Sequence, residues 1–317
     1  MAIIEVQGLT KKYGDLLAVD AIDFEVEAGE IFGFLGPNGA GKTTTINMLT
    51  GLTRITGGQV YIAGVDCGQA VKKVQSIIGV VPDESNLYDE LSGLDNLAFC
   101  AALYGIPRAQ GLKRGRRLLK QFGLEEAGDR SFRTYSKGMK RKLTIAAGII
   151  HEPRILFLDE PTTGIDVVSA RQIRNLIGDL HRQGRTIFLT THYIEEAERL
   201  CSRVAFIVDG RIRHLDTVEN LLEQAREEHI LEFVLANERV LDQDFLQKEF
   251  PTARIEVAQN RVRVHTPRPT GLKPFIDRFS DLDCAVYEAR LLRPTLEDVL
   301  IKITGMDTTG LQEVKMG

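Results

Sequence analysis

The sequence predicts an α/β protein built in two parts, and three observations carry that reading. An apolar run, Ile31-Phe32-Gly33-Phe34-Leu35, enters a glycine-rich loop and leaves it through Thr43 to Leu49, a stretch without proline or glycine. A second apolar run, Ile155-Leu156-Phe157-Leu158, ends in the paired carboxylates Asp159-Glu160. Residues 230–290 then alternate strand and helix patterns in the order βαββαβ. Short continuous apolar runs are the pattern of parallel strands covered on both faces, and βαββαβ is the ferredoxin-like α+β arrangement.

The loop reads Gly36-Pro37-Asn38-Gly39-Ala40-Gly41-Lys42-Thr43-Thr44. It fits Gly, four residues, Gly-Lys-Ser/Thr, in the strand–loop–helix context that confirms a phosphate-binding loop. The glycines let the backbone curl so that its N–H groups face phosphate oxygens, and the helix N-terminus adds partial positive charge. Lys42 is placed to reach the β- and γ-phosphates, and the Thr43 hydroxyl to ligate magnesium. The chain is expected to bind a nucleoside triphosphate.

At 317 residues there is length for one large or two ordinary domains with a full core. The net charge of −4 argues against a dedicated nucleic-acid binder. No window reaches the length of charge-free apolar sequence that a membrane span needs, and Met1 to Val6 does not resemble a signal peptide. Cys67, Cys100, Cys201 and Cys284 lie far apart with no metal spacing, and read as free thiols of a reducing compartment.

Taken in order, Ile3–Val6 and Ala18–Glu27 alternate like half-buried strands, with Ile22, Phe24 and Val26 on one face. Together with a hairpin strand at 57–64 they predict an antiparallel segment beside the loop strand. Lys11-Lys12-Tyr13-Gly14 reads as an exposed turn between the first two. Tyr13 is there either a half-buried ring or a platform for a nucleobase. A strand at 77–81 is stopped by Pro82, and Asp83-Glu84 opens a helical insert over about 84–150. Its helices are predicted at Gly93–Tyr104, capped by Ser92, at Arg108–Phe122, and at Met139–Ile150, capped by Ser136. The basic residues of the second read as a solvated face, since no aromatics interleave with them.

Asp159 ends a strand expected beside the loop strand, where an acid serves the metal; Glu160 is placed to polarise an attacking water. Val168–Arg182 is a predicted helix, and Thr186–Thr191 a buried strand followed at once by His192, a candidate γ-phosphate contact at a parallel strand's C-terminal end. Asp209-Gly210 turns a hairpin between Val204–Val208 and Arg211–His214. A helix at 217–227 leads out of the first domain, 1–225, into an accessory domain, 226–305. That domain's strands fall at 230–235, 253–258, 261–266 and 285–290, its helices at 241–249 and 271–279. Pro294 opens a last helix stopped by Gly305, and 306–317 reads as a frayed tail.

With these pieces in place, residues 2–225 resemble the ATP-binding subunit of an ABC transporter. Besides the loop and the Asp159-Glu160 strand, Tyr135-Ser136-Lys137-Gly138-Met139 looks like the family signature, Thr163-Gly164-Ile165-Asp166 like its D-loop, and Thr190-Thr191-His192 like its switch histidine. The whole chain looks most like the daunorubicin and drug-resistance exporter type. There the signature reads Tyr-Ser-x-Gly-Met-Lys-Arg, and an accessory domain ends close to Pro-Thr-Leu-Glu-Asp-Val-Leu, here 294–300.

The resemblance implies a head-to-tail homodimer in which each ATP is clasped by one subunit's loop and the other's signature. It implies that Tyr13 stacks on adenine, that residues 36–44 hold phosphate and Mg2+, and that Asp159 supports the metal. It further implies that Glu160 activates water, His192 senses the γ-phosphate, and Ser136 and Gly138 serve the partner's nucleotide. The resemblance also implies a separate permease in the membrane, docking near Asp83 to Tyr104, and hence a chain in the cytoplasm on the inner face of the cell membrane. Two positions depart from the pattern: Asp83 stands where the family has glutamine, and Lys137 where the signature has glycine. A carboxylate there only accepts hydrogen bonds, so Asp83 is expected still to ligate magnesium while altering coupling to the permease. The competing readings are an ABC-type ATPase acting on nucleic acid or an assembly, which the acidic balance and absent coiled-coil arms oppose, and a module that holds ATP with little turnover, which Glu160 opposes.

Overall fold

The computed structural model describes residues 1–225, 229–236, 243–268, 270–292 and 295–304. Two compact units divide at Thr217 and Val218. The first opens with a long hairpin of β1 (Ala2–Tyr13) and β2 (Leu16–Glu27). β3 (Ile31–Leu35) enters the glycine loop and α1 (Lys42–Leu49) leaves it. There follow β4 (Gly57–Ile62), β5 (Val65–Asp66), α2 (Val71–Ile77) and β6 (Ile78–Val81). The insert holds α3 (Gly93–Leu103), α4 (Arg108–Gln121) and α5 (Lys137–Gly148). The unit closes with β7 (Ile155–Asp159), α6 (Val167–Arg182), β8 (Thr186–Thr191), α7 (Ile194–Leu200), β9 (Arg203–Val208) and β10 (Arg211–Thr217).

Every residue of β3, β7 and β8 is buried, as a parallel strand between two covering layers requires. The main sheet runs β10-β9-β3-β8-β7-β6, with β10 antiparallel to β9 and the rest parallel. The register pairs Leu35 with Thr191 and Asp159 with Thr190, so the C-terminal ends of β3, β8 and β7 lie side by side. The antiparallel sheet, ordered β2-β1-β4-β5, joins the main one through aromatic rings. Phe24 of β2 lies 5.7 Å from Phe32, 5.6 Å from Phe34 and 6.0 Å from Phe188. Phe188 also meets Phe157 at 5.4 Å.

Helix starts follow their caps. Ser92 Oγ accepts from Asp95 N at 3.0 Å, Ser136 Oγ from Met139 N at 3.2 Å, and Asp166 Oδ1 from Ser169 N at 2.9 Å. The Ser136 cap starts α5 at Lys137, two residues ahead of the predicted Met139. Lys11, Lys12 and Tyr13 are not a turn: they continue β1, opposite Val19, Leu17 and Leu16, and the turn is Gly14-Asp15 alone. The ladder outlasts the alternating pattern because the hairpin tip stands in solvent, where no face is selected for burial.

The second unit begins with α8 (Val218–Ala225), which packs against the last helix of the same unit. The sequence predicts a first domain ending at 225, after α8, whereas the compact units divide before it, at Thr217 and Val218. β11 (His229–Leu235), α9 (Gln243–Glu249), β12 (Arg254–Ala258), β13 (Arg261–Thr266), α10 (Lys273–Asp281), β14 (Val286–Leu292) and α11 (Leu296–Thr304) follow. The strand order β12-β13-β11-β14, antiparallel throughout, is that of a ferredoxin-like sheet. Leu231, Phe233, Val262, Val264, Phe275 and Phe279 form its core. Residues 226–227, Leu241, Pro294, Gly305 and the tail 306–317 lie outside the described residues.

Phe188 is the ring that meets all the others, so Phe188→Ala is expected to cost about 3–5 kcal/mol of folding free energy in urea unfolding. A loss below about 1 kcal/mol would contradict the packing described, since volume-conserving repacking alone stays near that value.

Candidate active site

The loop's path demands its glycines. A Cβ on Gly36 would stand 2.1 Å from the Ile207 carbonyl oxygen, and Gly41, at φ +105°, would bring one to 2.7 Å from that of Ala18. α1 starts directly after Gly41 with no side-chain cap, so its first N–H groups are left for a ligand. Lys42 is only 6% exposed. Its ammonium donates to the carbonyls of Gly36 at 2.8 Å and Pro37 at 3.2 Å, and pairs with Glu160 Oε1 at 3.2 Å. Asn38, Gly39 and Thr43 are exposed, Pro37 and Thr44 half-buried, and Ala40 buried.

Across the sheet, Asp159 Oδ1 accepts a hydrogen bond from the Thr190 hydroxyl. Glu160 takes a left-handed backbone, φ +48°, a conformation that costs a non-glycine residue about 1–3 kcal/mol. Thr190 holds it there: the Glu160 N–H donates to the Thr190 carbonyl at 3.1 Å and hydroxyl at 3.2 Å. Glu160 Oε2 accepts from Thr163 Oγ1 at 3.0 Å, from the His192 N–H at 3.4 Å, and from His192 Nδ1 at 2.8 Å. Burial resists ionisation of Glu160, but the hydrogen bond from His192 and the charge of Lys42 outweigh it and hold the carboxyl below the ordinary glutamate range. An ionised Glu160 only accepts, so the proton of that bond sits on His192 Nδ1. A carboxylate aimed by three donors beside a lysine can orient and deprotonate a water.

The structure thus brings Lys42, Asp159, Glu160 and His192 together. The exposed Asp83 sits near them: burial raises its pKa, opposed by Arg141 and reinforced by the charges of Asp159 and Glu160. Tyr13 stands at the hairpin tip, 48% exposed, with Lys11 Nζ 4.7 Å over its ring. Ser136 spends its hydroxyl oxygen on the α5 cap, and Gly138 is buried where a Cβ would meet Ser169 Oγ at 2.4 Å. Lys137, between them, is exposed.

Two residues given no role from the sequence belong to this neighbourhood. Arg141 is buried and donates to the carbonyls of Pro82, Asp83, Asp159 and Pro161. Glu196 of α7 is buried and accepts from Thr162 Oγ1 at 2.9 Å, its pKa raised by burial. Arg141 falls within the signature-like stretch, which marked the position without its partners; nothing local marks Glu196.

Because folded Glu160 holds its proton less tightly than an ordinary glutamate, its contribution to stability is full above the ordinary carboxylate range and is lost as pH falls through the lower folded value. Thermal unfolding from neutral to acid pH is expected to show a steeper acid-side loss for wild type than for Glu160→Gln. Parallel curves would contradict the shift.

Comparison with known proteins agrees with this geometry. The family described as ABC transporter matches residues 19–163. The chain is 34% identical over 308 residues to a daunorubicin resistance ATP-binding protein, DrrA2, of Streptomyces coeruleorubidus, covering 96% of each. It is 35% identical over 327 residues to a doxorubicin resistance ATP-binding protein, DrrA, of Mycobacterium tuberculosis, covering 100% of this chain and 98% of that one. Among solved structures, an ATP-binding subunit of an ABC transporter superposes with TM-score 0.64 at 28% identity, covering 78% of this chain and 99% of that one. A dimeric ATP-binding cassette in a post-hydrolysis state, bound to ADP and Pi, gives 0.63 at 25% identity, covering 68% and 98%. With relatives matched end to end, the chain belongs to the ATP-binding proteins of ABC transporters and is an ATPase.

Proposed function

We propose that this protein hydrolyses ATP to drive export of lipophilic, drug-like compounds through a separate permease, with ATP clasped between two copies arranged head to tail. The observation that carries the reading is Glu160, ionised and held between Lys42 and His192 where three parallel strands end. Lys42 serves the β- and γ-phosphates, Glu160 is the general base and His192 contacts the γ-phosphate. The backbone from Gly36 to Thr44 wraps the phosphates, Tyr13 stacks on adenine, and Ser136 and Gly138 meet the nucleotide bound by the other copy.

The residues fit a magnesium ion that arrives with the nucleotide. Among the described residues no group of three or more His, Cys, Asp and Glu can hold a metal. Magnesium asks only for oxygen donors, one or two from protein with the rest from phosphate and water. Thr43 offers an exposed hydroxyl and Asp159 a carboxylate, with Asp83 as a further oxygen. The ion would neutralise charge on the phosphates.

No helix among the described residues is long and apolar enough to cross a membrane. The permease on another polypeptide and the place on the membrane's inner face rest on the relatives among ABC transporter ATP-binding proteins. Export and a drug-like substrate rest on the resistance proteins that match the chain end to end.

Glu160→Gln is expected to keep ATP binding and lower hydrolysis by about a hundredfold or more, measured as phosphate release. Hydrolysis at the wild-type rate would remove Glu160 from the chemistry. From detergent-solubilised membranes the tagged chain is expected to bring down a multi-span permease; recovery of nucleic acid or a soluble complex alone would overturn the transport assignment.

A further inference from the structure

The Arg141 side chain is 6% exposed, yet none of the hydrogen bonds its guanidinium makes goes to a carboxylate. Nε donates to the Pro161 carbonyl at 2.9 Å and Nη2 to that of Asp159 at 2.5 Å; Nη1 serves the carbonyls of Pro82 and, at 2.9 Å, Asp83. Burying a cation is costly, and these carbonyl oxygens, with the charges of Asp83, Asp159, Glu196 and Glu160 nearby, offset that cost. The bonded oxygens fall into two pairs. Asp159 and Pro161 flank Glu160, whose left-handed backbone must be held by its surroundings. Pro82 and Asp83 are the last residues before the insert, and Arg141 itself stands on α5, the insert's third helix.

We propose that Arg141 is a positioning residue that ties the orientation of Glu160 to the placement of the helical insert. The guanidinium is a rigid planar fork, so it cannot follow one pair of carbonyls without pulling on the other. A shift of α5, or of the chain at Pro82-Asp83, therefore changes the peptide units on either side of the catalytic carboxylate. Thr190, buried on β8, and the half-buried Thr163 and His192 also hold Glu160. Anything that moves the insert, such as a permease docked on it, reaches the hydrolytic group through one side chain. This inference rests on the reading of Glu160 as the general base.

The test compares wild type, Arg141→Lys, Arg141→Gln and Glu160→Gln as full-length chains. Steady-state ATPase gives kcat and KM, thermal unfolding gives stability, and hydrogen exchange follows peptides covering 82–85 and 159–163. Lysine keeps the charge but has no planar fork, so kcat is expected to fall between about tenfold and a hundredfold while KM stays within about threefold. The Tm of Arg141→Lys is expected close to wild type, with faster exchange in both peptides and none in α6. The proposal is overturned if kcat in both Arg141 variants equals wild type, if KM and Tm fail together in both, or if exchange rises in only one peptide. Wild-type hydrolysis by Glu160→Gln would remove the reading of Glu160 instead, and the exchange data would then decide the link by themselves.

Discussion

The first unit depends on keeping one ammonium and one carboxylate in contact across two strand spacings. Lys42 follows β3 and Glu160 follows β7, with β8 between them, so the strand ends that carry them are about 10 Å apart. The Lys42 ammonium stays beside Gly36 at the end of β3 and the Glu160 carboxylate meets it, while Thr190 of β8 and His192 just after it bond Glu160. Removing one partner of such a buried pair typically costs about 3–5 kcal/mol, so a slip of any of the three strands would be felt at once. The phenylalanine cluster beneath, drawn from β2, β3, β7 and β8, fixes the strands against such a slip.

How much of this was legible in the sequence depended on how local its physics is. The glycine loop could be read because close backbone approach leaves only glycine at Gly36 and Gly41, and the spacing records it. The buried strands and capped helices could be read for the same reason. Glu160's conformation could not: a following proline favours extended backbone, yet φ is +48° because Thr190 grips the peptide from a neighbouring strand. Arg141 and Glu196 were silent because their partners lie 18 to 59 and 34 residues away. α7, seven residues long, follows His192 too closely to show a period of its own.

The signature-like stretch carries two kinds of constraint at once. Gly138 is required by packing against Ser169 whatever else it does, while Lys137 meets no such limit and puts a side chain where the family has glycine. The second unit repeats the logic of buried charge. Glu232, fully enclosed on β11, accepts from Arg263 Nε at 2.9 Å and Arg290 Nε at 3.0 Å, pinning β13 and β14 on either side of it.

The glycine loop ends in an open helix N-terminus, and on the proposed function it is half of an ATP site that a second copy completes. The most direct test of that claim is the sedimentation of Glu160→Gln with ATP, read beside the wild-type ATPase rate per subunit as concentration rises. The account predicts monomers without nucleotide, dimers with ATP, and a rate per subunit that climbs with concentration until dimers dominate. Monomers at saturating ATP with a concentration-independent rate would contradict it.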